Sequence, residues 1–255
     1  MLVRKIFFKL NLIIFFICFT NLCFASKAWK AEIQPLLWDV EFNGRVQVAN
    51  QIAHVDKTKL GGELILKADL YKFGVFANIM YSRMSGKTDH GLYVANISNQ
   101  FSVYTGGFSY ELYKHTFPYL IENSFTIVPY AGARYTVKNS DAKITAFWFG
   151  HKISKQISQH NQWTDPIVGM TLNMLLEKEW LLSLGGDIGG TSTENQYSYS
   201  TLALIRYQSQ RILSNISIAF GYQVLDQHYV HGRTDNYLNW NMKITGPVLG
   251  VFLSF

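Results

Sequence analysis

Four residues near the end of the chain carry the side chains best suited to catalysis: Asp226, His228, His231 and Asp235. A histidine beside a carboxylate can act as a general base, and with a serine nucleophile it could cleave an ester. Ser98 and Ser192 would have to reach the cluster from neighbouring loops, and no local Ser/His motif marks either of them. His228 and His231 could hold a metal, but the pattern offers no clear third ligand. A polar His-rich loop is more often a solvated surface. The expectation is therefore no catalytic residue, no metal site and no cofactor. Gly185-Gly186-Asp187-Ile188-Gly189-Gly190 lacks the strand–loop–helix context of a nucleotide loop.

A second set of residues is ionic. Glu63, Lys67, Asp69, Glu111, Arg134, Asp187 and Arg206 stand at alternating positions inside apolar runs. If those runs are strands of a small barrel, all seven face its interior. They would then either pair into a plug, since unpaired buried charges are costly, or line a narrow channel and bias which solutes pass.

The elements that must position them are read from period-two alternation. In 215–224, Ile216, Ile218, Phe220, Tyr222 and Val224 point one way, while Ser217, Ala219, Gly221 and Gln223 point the other. Comparable runs occupy 62–70, 73–82, 101–112, 165–175 and 180–189, and less regular ones 28–41, 125–137, 197–207 and 238–255. That makes ten strands. Divided differently near 28–70 or 115–137, the count becomes eight or twelve. Connections after even strands are short, such as Tyr71-Lys72. Those after odd strands, 43–59, 86–98, 138–163, 191–196 and 230–237, are longer and polar. Short turns at one end and long loops at the other are the pattern of a transmembrane β-barrel. Trp29, Tyr71, Tyr113, Trp180 and Phe255 fall at the short-turn ends; Tyr81, Tyr135, Trp163, Tyr197 and Tyr229 fall at the other. They would form two interfacial girdles.

Both termini agree. Arg4, Lys5 and Lys9 precede an apolar run over 10–19, and Cys23-Phe24-Ala25 offers a cleavage site before Ser26. This is the layout of a secretory signal peptide over 1–25, leaving 26–255 as one barrel domain. Cys18 and Cys23 leave with the leader, so thiol catalysis and disulfides are excluded from the mature chain. Removing those three basic residues from 23 leaves 20 against 17 acidic ones, too even a balance to point to nucleic acid. Charged residues are 16%, below the roughly 25% of soluble domains. At the far end, Leu249, Val251, Leu253 and Phe255 form an apolar stripe with nothing after it. Such an ending resembles the signal read by the outer-membrane barrel assembly machinery.

Three patterns together carry a wider resemblance: Trp163-Thr164-Asp165-Pro166-Ile167-Val168-Gly169, the glycine-rich 185–190 segment, and Gly221-Tyr222-Gln223 with the terminal strand. The chain resembles small Gram-negative outer-membrane β-barrels of the opacity-protein and OmpA-like kind, most strongly over 125–255. The resemblance implies a monomeric barrel among outer-membrane lipid and lipopolysaccharide, structural or porin-like, with no catalytic residues to transfer. A Gly-Tyr-Arg pattern would be usual where this chain has Gly221-Tyr222-Gln223, so one interior cation is missing. Two alternatives stand beside it: a surface adhesin using loop 138–163, with Phe147, Trp148, Phe149, Lys152 and Lys155, and an outer-membrane lipid hydrolase using the 226–235 cluster.

Overall fold

The computed structural model describes residues 29–48, 51–89, 93–116, 124–148, 151–177, 179–192, 196–208, 215–231 and 238–255. The leader expected over 1–25 lies outside the described residues. The strands are β1 (Trp29–Val48), β2 (Gln51–Leu70), β3 (Phe73–Asp89), β4 (Tyr93–Tyr110), β5 (Tyr113–Thr116), β6 (Ser124–Trp148), β7 (His151–Glu177), β8 (Trp180–Ser192), β9 (Gln196–Tyr207), β10 (Ile216–His231) and β11 (Leu238–Ser254). Neighbours in sequence pair antiparallel except β4 and β5, β1 pairs with β11, and β4 pairs with β6, so the sheet closes on itself.

The short β5 is the continuation of β4. Both run along β6, with Ser109 opposite Tyr130 and Tyr113 opposite Ile127. Between them Glu111 N–H donates to the Lys72 carbonyl at 2.7 Å and Leu112 N–H to the Ile127 carbonyl at 3.0 Å. The barrel therefore has ten staves. An even number puts the start of β1 and the end of β11 at one rim, where Ala31 and Phe255 exchange two backbone hydrogen bonds of 2.9 and 3.2 Å. Among the described residues, closure leaves no unpaired strand edge along the outward apolar band.

Alternation sorts the faces. Val75, Ile79, Phe108, Val168, Leu184, Ile218, Phe220, Leu249 and Val251 point outward and are exposed. Leu36, Trp38, Met80, Phe101, Ile167, Leu204, Val248 and Phe252 point inward and are buried. Exposed Tyr71, Tyr113, Trp180 and Phe255 ring the short-turn end; Tyr81, Tyr104, Tyr135, Tyr197 and Tyr199 form a row on the outer surface above the apolar band. Trp163 and Tyr229 depart from the expected girdle. Trp163 is buried inside the barrel and stacks on Tyr229 at 4.5 Å. Both sit on inward positions that alternation alone could not separate from a rim.

The segments expected as long loops are mostly strand. β1 and β2 run to Val48 and from Gln51, and 138–163 is the upper part of a β6–β7 hairpin whose strands have 25 and 27 residues. A membrane crossing needs only about 9–11 residues. Above that length neither face meets lipid, so polar residues occupy both faces and the alternation fades while backbone pairing continues. Ser98, expected on a loop, pairs with Ser85 inside the β3–β4 ladder, and Ser192 ends β8.

Candidate functional site

The interior divides into two parts. Its upper part, away from the chain ends, is filled with apolar side chains: Trp38, Val40, Phe42, Phe101, Val103, Trp163, Leu225, Trp240, Met242 and Ile244 form one buried cluster. Phe101 stacks on Trp240 at 5.7 Å and meets Phe42 edge-on at 6.3 Å. Phe101 on β4 thus reaches β1, three staves away around the barrel, and β11, four staves away, so these contacts bridge the lumen rather than coat it.

One cation enters this cluster. Lys138 is buried, with its Nζ 4.7 Å from the centre of the Trp240 ring. It stands above the tyrosine row, and burial pushes its amine down to about 8. The ring face supplies part of the solvation that water would. Nearby on the inner wall, Asp165 is fully buried and accepts from Gln196 Nε2 at 2.6 Å.

Below the apolar cluster lies a cavity of about 420 Å³. Its lining runs from Lys72, Glu111 and Lys114 at the short-turn end inward to Arg134 and Asp187. Six of the seven ionic candidates line it: Lys67, Asp69, Glu111, Arg134, Asp187 and Arg206. Glu63, the seventh, is buried behind Asn78 and Gln223, which do line the cavity.

Most of these charges have counter-charges. Arg134 grips Asp187 through Nη2 at 2.6 and 2.8 Å and donates to Ser198 at 3.0 Å. Tyr130 donates to the same carboxylate at 3.2 Å. Arg206 donates to Glu32 at 3.1 Å and lies over the Phe252 ring. Gln34 holds the other Glu32 oxygen at 2.7 Å. Across the β1–β2 ladder, Lys67 stands opposite Glu32 and Asp69 opposite Lys30. Alternating charges along facing strands hold the cavity walls without leaving a single-sign field.

Two members of the 226–235 cluster, Asp226 and His228, are not on a mouth loop. Asp226 and His228 lie within β10 on its outward face; Tyr199 donates to Asp226 at 3.1 Å and the Tyr197 ring stacks on His228 at 5.0 Å. The pattern failed here because residue type suggested a loop where backbone pairing continues. The His231 side chain and Asp235 lie outside the described residues. Among the described residues no group of three or more His, Cys, Asp or Glu is placed to hold a metal.

Sequence reasoning missed the inward residues of the extensions, Lys138, Trp240 and Met242. The strand of Trp240 and Met242, 238–255, was found, but nothing in its pattern marked those positions as filling the lumen, and Lys138 opened a segment expected as a loop but lies within β6. It also missed Glu32 as the partner of Arg206.

No protein-family model matches the chain, and no curated protein matches it by sequence. By fold, it is similar to the crystal structure of the outer membrane protease OmpT from Escherichia coli, with a TM-score of 0.63 at 10% identity, covering 91% of this chain and 99% of that one. Ail, the attachment invasion locus protein of Yersinia pestis, gives a TM-score of 0.34 at 11% identity over 89% of this chain and 98% of that one. The fold class is thus the closed antiparallel β-barrel of outer-membrane proteins.

Proposed function

We propose that this chain is an exported, non-enzymatic, monomeric outer-membrane barrel of a Gram-negative cell, structural in role, whose lumen is occluded. The observation that supports it most is the aromatic and aliphatic cluster that bridges the upper lumen between Phe42, Phe101 and Trp240. A porin-like path would have to part those rings. The cavity below is then a vestibule entered from the periplasmic side. The outward apolar band faces lipid, the tyrosine row sits at headgroup level, and the extensions stand among lipopolysaccharide. The narrower likeness to opacity-protein and OmpA-like barrels belongs to this reading. Against a hydrolase, Asp226 and His228 face outward and are engaged by tyrosines rather than by a serine.

A second reading, a surface-interaction role for 138–163, has its own observation. β8 joins β7 only from Ile167 downward, so among the described residues the upper part of β7 pairs with β6 alone. That leaves one ladder edge to which an extended partner strand could add.

Membrane fractionation with heat-modifiable gel migration tests the barrel and its location. A shifted band in the outer-membrane fraction is expected; a soluble periplasmic product without a shift would overturn it. Cells displaying the chain should also gain no lipid-hydrolysing activity over cells carrying the H228A variant.

A further inference from the structure

Charges alternate along β1 and β2, but around the whole cavity they do not cancel. Six cations line it, Lys30, Lys67, Lys72, Lys114, Arg134 and Arg206. Only four carboxylates do so, Glu32, Asp69, Glu111 and Asp187, and the walls carry a net charge of +2. Glu63, buried behind the wall, lowers this to +1 when ionised. The arginines are engaged, Arg134 by Asp187 and Arg206 by Glu32. Among the described residues none of the four lysines has an ion pair.

Lys30, Lys72 and Lys114 stand exposed at the short-turn end, on the first residues of β1, in the β2–β3 turn and on β5. Lys67 lies deeper. It projects from the same face of β2 as buried Ile65, yet its side chain is exposed, because what lies before it is cavity rather than packed side chains. The residue directly opposite it on β1 is Glu32, and both oxygens of that carboxylate are engaged, Oε1 by Arg206 at 3.1 Å and Oε2 by Gln34 at 2.7 Å. Its partner on β3 is Phe76, which offers no acceptor. Asp69, two residues along, stands opposite Lys30. Lys67 therefore turns three N–H donors and one charge toward the cavity. Elsewhere the lining is polar and neutral, with hydroxyls from Thr105, Ser109 and Ser200 that can also donate.

We propose that this cavity binds a small oxyanion, a carboxylate or a phosphate compound, with the Lys67 ammonium as its anchor. Net charge in an enclosed cleft with low-dielectric walls raises the local concentration of counter-ions. A charge-assisted hydrogen bond from an ammonium suits either anionic group. Water can solvate Lys67 but leaves the walls positive; an anion does both. The inference rests on the vestibule described above and not on closure of the lumen over it. An open lumen would change a bilayer recording and leave this binding unaffected.

The test uses the refolded full-length barrel in detergent micelles. Its thermal unfolding midpoint is measured in sodium chloride, sodium succinate and sodium phosphate at equal ionic strength, and isothermal titration calorimetry gives the affinity. The wild type should unfold at a higher temperature in succinate or phosphate than in chloride; which of the two acts separates carboxylate from phosphate. Lys67→Gln should weaken the affinity about tenfold or more. Lys243→Gln, which removes an exposed outward lysine of β11, should leave it unchanged. Asp69→Asn, which removes a carboxylate beside the anchor, should tighten binding, so a direction is predicted even where Lys67→Gln fails to fold. Equal midpoints in the three salts would overturn the proposal. So would a response that persists unchanged in Lys67→Gln, or one that weakens in Asp69→Asn.

Discussion

Arg134 on β6 reaches across β7 to hold both carboxylate oxygens of Asp187 on β8, at 2.6 and 2.8 Å. The two side chains are 4% and 7% exposed. A pair so enclosed is weak evidence for net stability, but removing one partner strands the other. Arg134→Met is therefore expected to destabilise the barrel by about 3–5 kcal/mol, and the double variant Arg134→Met with Asp187→Leu to recover most of that loss. Guanidinium unfolding of the refolded protein in micelles measures both. Equal losses in the single and double variants would show that the arginine matters for packing rather than charge.

The same pair depends on a glycine between its strands. A Cβ on Gly169 would lie 2.5 Å from the Gly186 carbonyl oxygen and from Tyr130 Cζ, and 2.7 Å from Asp187 Cβ. Backbone cannot yield as a side-chain tip can, so Gly169→Ala should cost about 1–3 kcal/mol through overpacking. Gly62 on β2 has nothing within 4 Å of such an atom, so Gly62→Ala serves as the control and should change the midpoint little.

Much of this was legible beforehand. The glycine-rich 185–190 segment and the run ending at Gly169 stand out in the sequence, and the structure shows the close approach they permit. The inward set from Glu63 to Arg206 follows from alternation because lipid forces a contrast between the two faces. Asp226 and His228 were misplaced for the converse reason: above the hydrocarbon that contrast disappears, and a paired strand reads like a loop. The apolar filling by Trp240 and Met242 was not legible at all. An aromatic residue on a polar-flanked strand looks the same whether it meets a headgroup or a facing wall.

Depth in the membrane gives a further check. Leu249 is outward, 56% exposed, opposite Phe220 in the apolar band, whereas Asn241 is outward on the same strand, on the rung it shares with His228 and Tyr197 of the tyrosine row. Leu249→Arg should cost about 2–4 kcal/mol in lipid vesicles, and Asn241→Arg about 0–1. Equal costs would place the band in water.

Lys138 sets a pH dependence. Its amine is held near 8 against an ordinary value of 10.5. Below pH 8 it is charged both folded and unfolded, and the burial cost is fully present. Between 8 and 10.5 the folded protein sheds its proton first, so the unfolded state binds more protons and stability rises with pH. The rise attributable to Lys138 is roughly 3 kcal/mol across that window. Lys138→Met should be more stable than wild type at pH 7 and should lack this increment when midpoints are compared from pH 7 to 10.5. A wild-type curve parallel to that of the variant would contradict the assignment.

The central claim is that Phe42, Phe101, Trp163 and Trp240 close the lumen. Planar-bilayer recording of the refolded barrel tests it most directly. The predicted result is no steady single-channel conductance for the wild type, with opening events appearing when Phe101 and Trp240 are both replaced by alanine. A steady open conductance from the wild-type barrel, unchanged by those substitutions, would contradict it.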